Sequence, residues 1–110
     1  MVTFAEACES VLRFCKSVNI REALIHSSNE FDTHWLITYG VPSLEDSSRI
    51  FQYGSVIVEK QTGYLYYPPS RSAHPIDYSA FPSNRRQFVQ VTAQDLEELE
   101  KEAEDNTSQP

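Results

Sequence analysis

Apolar residues recur at steps of three and four near the start of the chain: Phe4, Ala7, Cys8, Val11, Leu12, Cys15 and Val18. That spacing predicts an amphipathic helix over residues 4–18. Thr3 and Glu6 stand at capping-box spacing, so the Thr3 hydroxyl can accept from the Glu6 amide while the Glu6 carboxylate accepts from the Thr3 amide. Phe14 falls off the stripe and is assigned to a flank. Asn19 is suited to end the helix.

The period then changes from 3.6 to two. Residues 22–28 read as a short strand and "SNEFD" as a turn. "HWLITYG", 34–40, reads as a strand with Trp35, Ile37 and Tyr39 on one side and His34, Leu36 and Thr38 on the other. Residues 41–48 are a loop by composition. Residues 50–59, "IFQYGSVIVE", form the longest strand candidate, with Gly54 marking a bulge or a close approach. "KQTG" is a turn in which Gly63 can take positive φ, and "YLYY", 64–67, is the return strand. Pro68, Pro69, Pro75 and Pro82 keep the following stretch irregular, because proline donates no ladder hydrogen bond. Loops of that length are uncommon and often functional. "RQFVQV", 86–91, is a last strand. Thr92 to Asp95 repeats the N-cap signal before a helix with a thin apolar seam at Ala93, Leu96, Leu99 and Ala103, reaching about residue 104; the remainder, 106–110, reads as a flexible tail.

Helix, four or five mostly antiparallel strands, helix is an α+β order, and residues 1–105 make one domain with the first helix across one sheet face. If the 60–63 loop sets the register, Val58 opposes Leu65 and Ile57 opposes Tyr66. Val56, Val58, Leu65 and Tyr67 then lie under the helix. Tyr53, Ile57, Glu59, Tyr64 and Tyr66 lie on the opposite face. That face is either open, as a partner-binding surface joined by Arg71, Tyr78 and Phe81, or covered by the proline-rich segment with Tyr78 and Phe81 docked on it.

Length and charge narrow the class. The chain has 110 residues, enough for one core. No apolar run approaches the roughly 20 residues of a membrane span, and Glu6, Glu9, Arg13 and Lys16 interrupt the N-terminal stripe in a way no export signal does. A cytoplasmic protein is expected. Cys8 and Cys15 sit about 10.5 Å apart on a helix, too far for a disulfide. The net charge is −7, and seven acids against Lys101 fall in residues 92–110, so the body is close to neutral. Without a basic footprint, nucleic acid is not an expected partner, nor is a membrane.

Catalytic constellations are sparse. His26, His34 and His74 fit no metal-ligand spacing, and three glycines make no phosphate loop. No cofactor is expected and the chain reads as a non-enzyme. Arg85-Arg86 could grip a carboxylate or only solubilise a strand entrance. The acidic C-terminal helix is either a solvated face or an arm for a basic partner.

Trp35–Tyr39, Gly54–Lys60, Thr62-Gly63 and Ile76–Tyr78, set in "WLITY", "GSVIVEKQTGYLYYPP" and "IDYSAF" after a small N-terminal helix, resemble the YrhB-like immunity protein 35 family. The resemblance covers about residues 4–80. It implies an immunity protein that binds a cognate bacterial toxin and occludes its active site through protein–protein contact, and it carries over no catalytic residue. The alternative is a secretion chaperone or adaptor that holds an effector segment, as a small acidic homodimer. A ligand-binding pocket lined by Trp35, Tyr39 and the histidines is a third expectation.

Overall fold

The computed structural model describes residues 1–46, 48–69 and 75–108, with side chains through residue 104. Helix α1 spans Phe4–Ser17. Strands β1 (Leu24–Glu30), β2 (His34–Pro42), β3 (Ile50–Glu59), β4 (Leu65–Tyr67) and β5 (Val89–Val91) follow, and α2 (Ala93–Ser108) closes the order. The five strands form one antiparallel sheet in sequence order. This is the expected α+β arrangement; short connections explain why β1 to β4 pair in sequence order, while β5 returns beside β4 after the long 68–88 segment.

The Thr3–Glu6 capping box is formed in both directions, at 3.1 and 3.2 Å. Asn19 ends the helix region with φ at 67°, a conformation its short polar side chain tolerates. The buried side of α1 is Ala7, Val11, Phe14 and Cys15, while Phe4, Leu12 and Val18 stay about 40% exposed. Phe14 is therefore core and not flank. The side that faces the sheet is rotated toward Phe14, whose ring lies 5.3 Å from that of Tyr67.

That helix face closes on Ile37, Tyr39, Val56, Val58 and Leu65, with Leu96 of α2 and Val91 completing the cluster. Fully burying each aliphatic side chain contributes about 1.5–3 kcal/mol. Burial pushes the Cys15 thiol up to about 11. The register is the expected one, Val58 opposite Leu65 and Ile57 opposite Tyr66. Gly63 takes φ of 75° in the turn.

Several boundaries differ from expectation. β1 runs from Leu24 to Glu30 and not over 22–28, so the turn before β2 is shorter, and β2 continues through Val41 and Pro42, which composition predicts as loop. Residues 85–87 form a 3-10 turn, leaving only Val89–Val91 as strand. α2 runs to Ser108, so residues 106–108 are helical and not tail.

Candidate functional site

The second face of the sheet is not open. Residues from Pro75 to Phe88 cross it as a strap, and Ile57, Tyr66, Phe81 and Phe88 form a second core with Leu36, Tyr64, Ile76 and Tyr78 around it. Tyr66 is 1% exposed and Phe81 4%. Their rings lie 4.8 Å apart, and Phe88 meets Phe81 edge-on at 6.1 Å. Two apolar layers facing each other exclude water better than a bare aromatic sheet, and that decides between the two alternatives the sequence leaves open.

The expected binding set of Tyr53, Tyr64, Tyr66, Arg71, Tyr78 and Phe81 is thus not one surface. Tyr66 and Phe81 are core. Tyr64 and Tyr78 are half-buried against them. Arg71 and His74 lie outside the described residues. Tyr53 is separated from the others by a bulge: Tyr39 opposes Gly54 and Gly40 opposes Gln52, leaving Tyr53 unpaired. One extra residue changes the side on which a strand residue emerges. The Tyr53 ring stacks instead on Tyr39, a helix-face residue, at 5.9 Å. Gly54 sits at the same place because a Cβ there would meet the Tyr39 hydroxyl oxygen at 2.9 Å.

His34 holds the strap. It is 1% exposed, with one ring nitrogen, Nε2, 2.9 Å from the Tyr78 carbonyl and Nδ1 2.9 Å from the Thr33 hydroxyl. A carbonyl only accepts, so Nε2 carries the proton and Nδ1 accepts from Thr33. Phe31 stacks on the imidazole at 4.5 Å and Phe81 meets its edge at 5.0 Å. Burial lowers the His34 pKa, and nearby Lys60 lowers it further, against the opposing effects of the Tyr78 carbonyl and Glu59. The neutral ring is a structural clamp. Arg85, a candidate carboxylate grip, already donates to Glu59 at 2.6 Å and lies over the Tyr66 and Phe81 rings. Among the described residues no cluster of three or more His, Cys, Asp and Glu is placed to hold a metal, and no helix is long and apolar enough to cross a membrane.

Exposed apolar surface is found elsewhere, at the far end of β2 and β3. β3 has ten residues but β4 only three, and the two pair only at Ile57 and Val58. Pro68 and Pro69 lack the amides that would continue β4. Among the described residues, 41–46 and 48–53 therefore extend as a two-stranded arm past the strands that flank β2 and β3. Phe51 is 64% exposed, Tyr53 61%, Ile50 37%, and Leu44 at the loop is fully exposed. Asp46 caps that loop, accepting from the Ser48 amide, and pairs with Arg49. Isolated two-stranded ribbons are marginal in water.

At the root of the arm lies a groove of about 690 Å³. Phe14 and Val18 wall it from the helix layer, and Ile76 and Tyr78 from the strap. Tyr53 to Ser55 of β3 form one side, and Tyr67 with Pro68 closes the end. Among the described residues, none in its lining is charged. A second groove, about 740 Å³, runs between the C-terminal part of α1 and α2. Its rim carries cations and acids, including the Arg13–Glu100 ion pair.

Sequence reasoning missed the arm. The signal was present: a ten-residue strand candidate cannot be matched by a four-residue return strand stopped by two prolines. Comparison with family models, curated proteins and solved structures returns no match to this chain.

Proposed function

We propose that this protein works by binding another protein, as an inhibitor of the immunity type that occludes a toxin's active site. The observation that carries the reading is the arm. Exposed apolar side chains on a projecting ribbon mark an interface, because a monomer gains nothing by holding Phe51, Tyr53 and Leu44 in water. The ribbon continues from strands whose other ends are packed between the helices and the strap, so it is anchored at its root. The outer side of α2, with Glu97, Glu98 and Glu102 exposed, adds long-range attraction for a basic partner. The likeness of residues 4–80 to the YrhB-like immunity family points the same way.

The test is co-expression with the toxin-like product of an adjacent reading frame, scored by growth and by a one-to-one complex in solution. Leu44→Ser with Phe51→Ser leaves folding intact and abolishes rescue. Full rescue by that folded double variant would remove the arm from the interface. The length of β3 beyond its pairing with β4 among the described residues favours a second reading, a chaperone or adaptor that holds an effector's extended segment. Broad affinity for many unfolded segments, in place of one tight partner, distinguishes it.

A further inference from the structure

β1 is an outer strand of the sheet, paired with β2 on one side. Ser27, Ser28, Asn29 and Glu30 are all exposed, one after another. Successive strand residues point to opposite faces, so neither the helix layer nor the strap overhangs this part of β1. Pro69, where the chain enters 70–74, follows β4, on the other side of β2 and β3. Ala103 and Glu104 of α2 share a groove with Glu22 and Ala23, which precede the opposite end of β1. The Phe31 amide donates to the His34 carbonyl at 2.9 Å, so Phe31 faces β2. From Ser27 to Glu30 the register with β2 runs one-to-one. Alternation then turns Ser27 and Asn29 toward β2, and the backbone N–H and C=O of Ser28 and Glu30 outward. Edge strands are commonly guarded by a charge. The charge here is already matched, because the Glu30 carboxylate accepts from the Lys60 ammonium at 2.7 Å.

We propose that the chain self-associates along this edge, β1 pairing antiparallel with β1 of a second copy about a two-fold axis at Asn29. The inference does not depend on the partner-binding reading above. Symmetry and side-chain chemistry select the occupant and the register. An axis at Ser28 sets Glu30 against His26, where the β1 register shifts. An axis at Glu30 sets two carboxylates directly opposite each other, a destabilising pair. With the axis at Asn29, Ser28 of each copy opposes Glu30 of the other, and each such pair exchanges two backbone hydrogen bonds. The outward groups of both residues are then all used. On one face the Ser28 hydroxyl can donate to the carboxylate opposite, and on the other the two Asn29 amides, each donor and acceptor, meet across the axis. The same patch serves both copies, as a two-fold contact requires. Only a short run of each strand takes part, so the buried area falls below about 1,200 Å² and the association is weak and reversible.

The test is sedimentation equilibrium of the full chain across about 0.01–1 mM, the range of weak contacts, with amide hydrogen exchange at both ends of it. The mean mass rises toward the dimer, and the Ser28 and Glu30 amides gain protection with concentration. Ser28→Pro removes an outward donor from each copy and weakens the dimer at least tenfold, while proline on an outward edge position leaves the urea midpoint near that of the native chain. Asn29→Asp and Asn29→Lys place like charges across the axis and each weaken the dimer about fivefold, and the equimolar mixture of the two associates more tightly than either alone. The charge pair carries the test even where the proline variant does not fold. A chain that stays monomeric at 1 mM overturns the proposal. So does a dimer that a folded Ser28→Pro leaves unchanged, a mixture no tighter than its components, or concentration-dependent protection centred on the β2–β3 arm. Protection of Ser28 and Glu30 that appears only with a bound toxin overturns it in favour of a strand supplied by that partner.

Discussion

Replacing Phe81 by alanine separates a core role from an interface role. Phe81 is 4% exposed and touches three partners from two layers: Tyr66 at 4.8 Å, His34 at 5.0 Å and Phe88 at 6.1 Å between ring centroids. It also lies under the Arg85 guanidinium, 5.4 Å away. Buried Phe→Ala changes cost about 3–5 kcal/mol, the spread reflecting how far the site collapses. The strap is an irregular segment and can settle toward the sheet more easily than a strand, so the lower end, about 3 kcal/mol, applies. At roughly 4–6 °C per kcal/mol for a domain of this size, the midpoint falls by about 12–18 °C. Urea and thermal unfolding read the loss, and near-UV circular dichroism reports the loosened Tyr66 environment. Phe51→Ala, at 64% exposure, is the control and shifts stability by no more than about 0.5 kcal/mol. A loss below about 1 kcal/mol for Phe81→Ala would refute the reasoning, since a docked core ring cannot be removed so cheaply.

Three further outcomes follow from local chemistry. The His34 pKa is lowered on folding, so its contribution is fully present above the ordinary histidine value, about 6.5, and is lost as pH falls through the folded value. Urea midpoints from pH 8 to pH 5 should drop more for the native chain than for His34→Gln, and parallel curves would dismiss the clamp. Gly54→Ala places a methyl group 2.9 Å from the Tyr39 hydroxyl oxygen and 3.2 Å from its ring, and should cost about 1–3 kcal/mol by displacing a ring only 8% exposed; an unchanged unfolding midpoint would show that the ring yields freely. Thr3→Ala removes one half of the capping box and should cost about 1 kcal/mol in chemical denaturation, with Thr3→Ser restoring most of it.

Much of the architecture was legible in the chain because it depends on short-range rules. The capping box, the helix period, the strand alternation and the glycine turn each act within a few residues, and all of them agree. The hairpin register followed from loop length, and with it the two-sided character of the sheet. Phe14 was misplaced because helical spacing identifies a stripe but not which edge of it turns toward the sheet.

Which side of the sheet meets solvent was decided by tertiary structure alone. The residues that cover Tyr66 come from Pro75 to Phe88, and no local pattern says that Phe81 and Phe88 fold back onto β3 and β4. The same holds for the bulge at Tyr53, which depends on β2 and β3 together. The arm lies between these cases. Unequal strand lengths and Pro68-Pro69 were written in the sequence, but its exposure follows only once both layers are seen to end before it does. Local propensity determines which elements form and in what order; water exclusion, a property of the whole packed chain, decides where they end and which of their faces are buried.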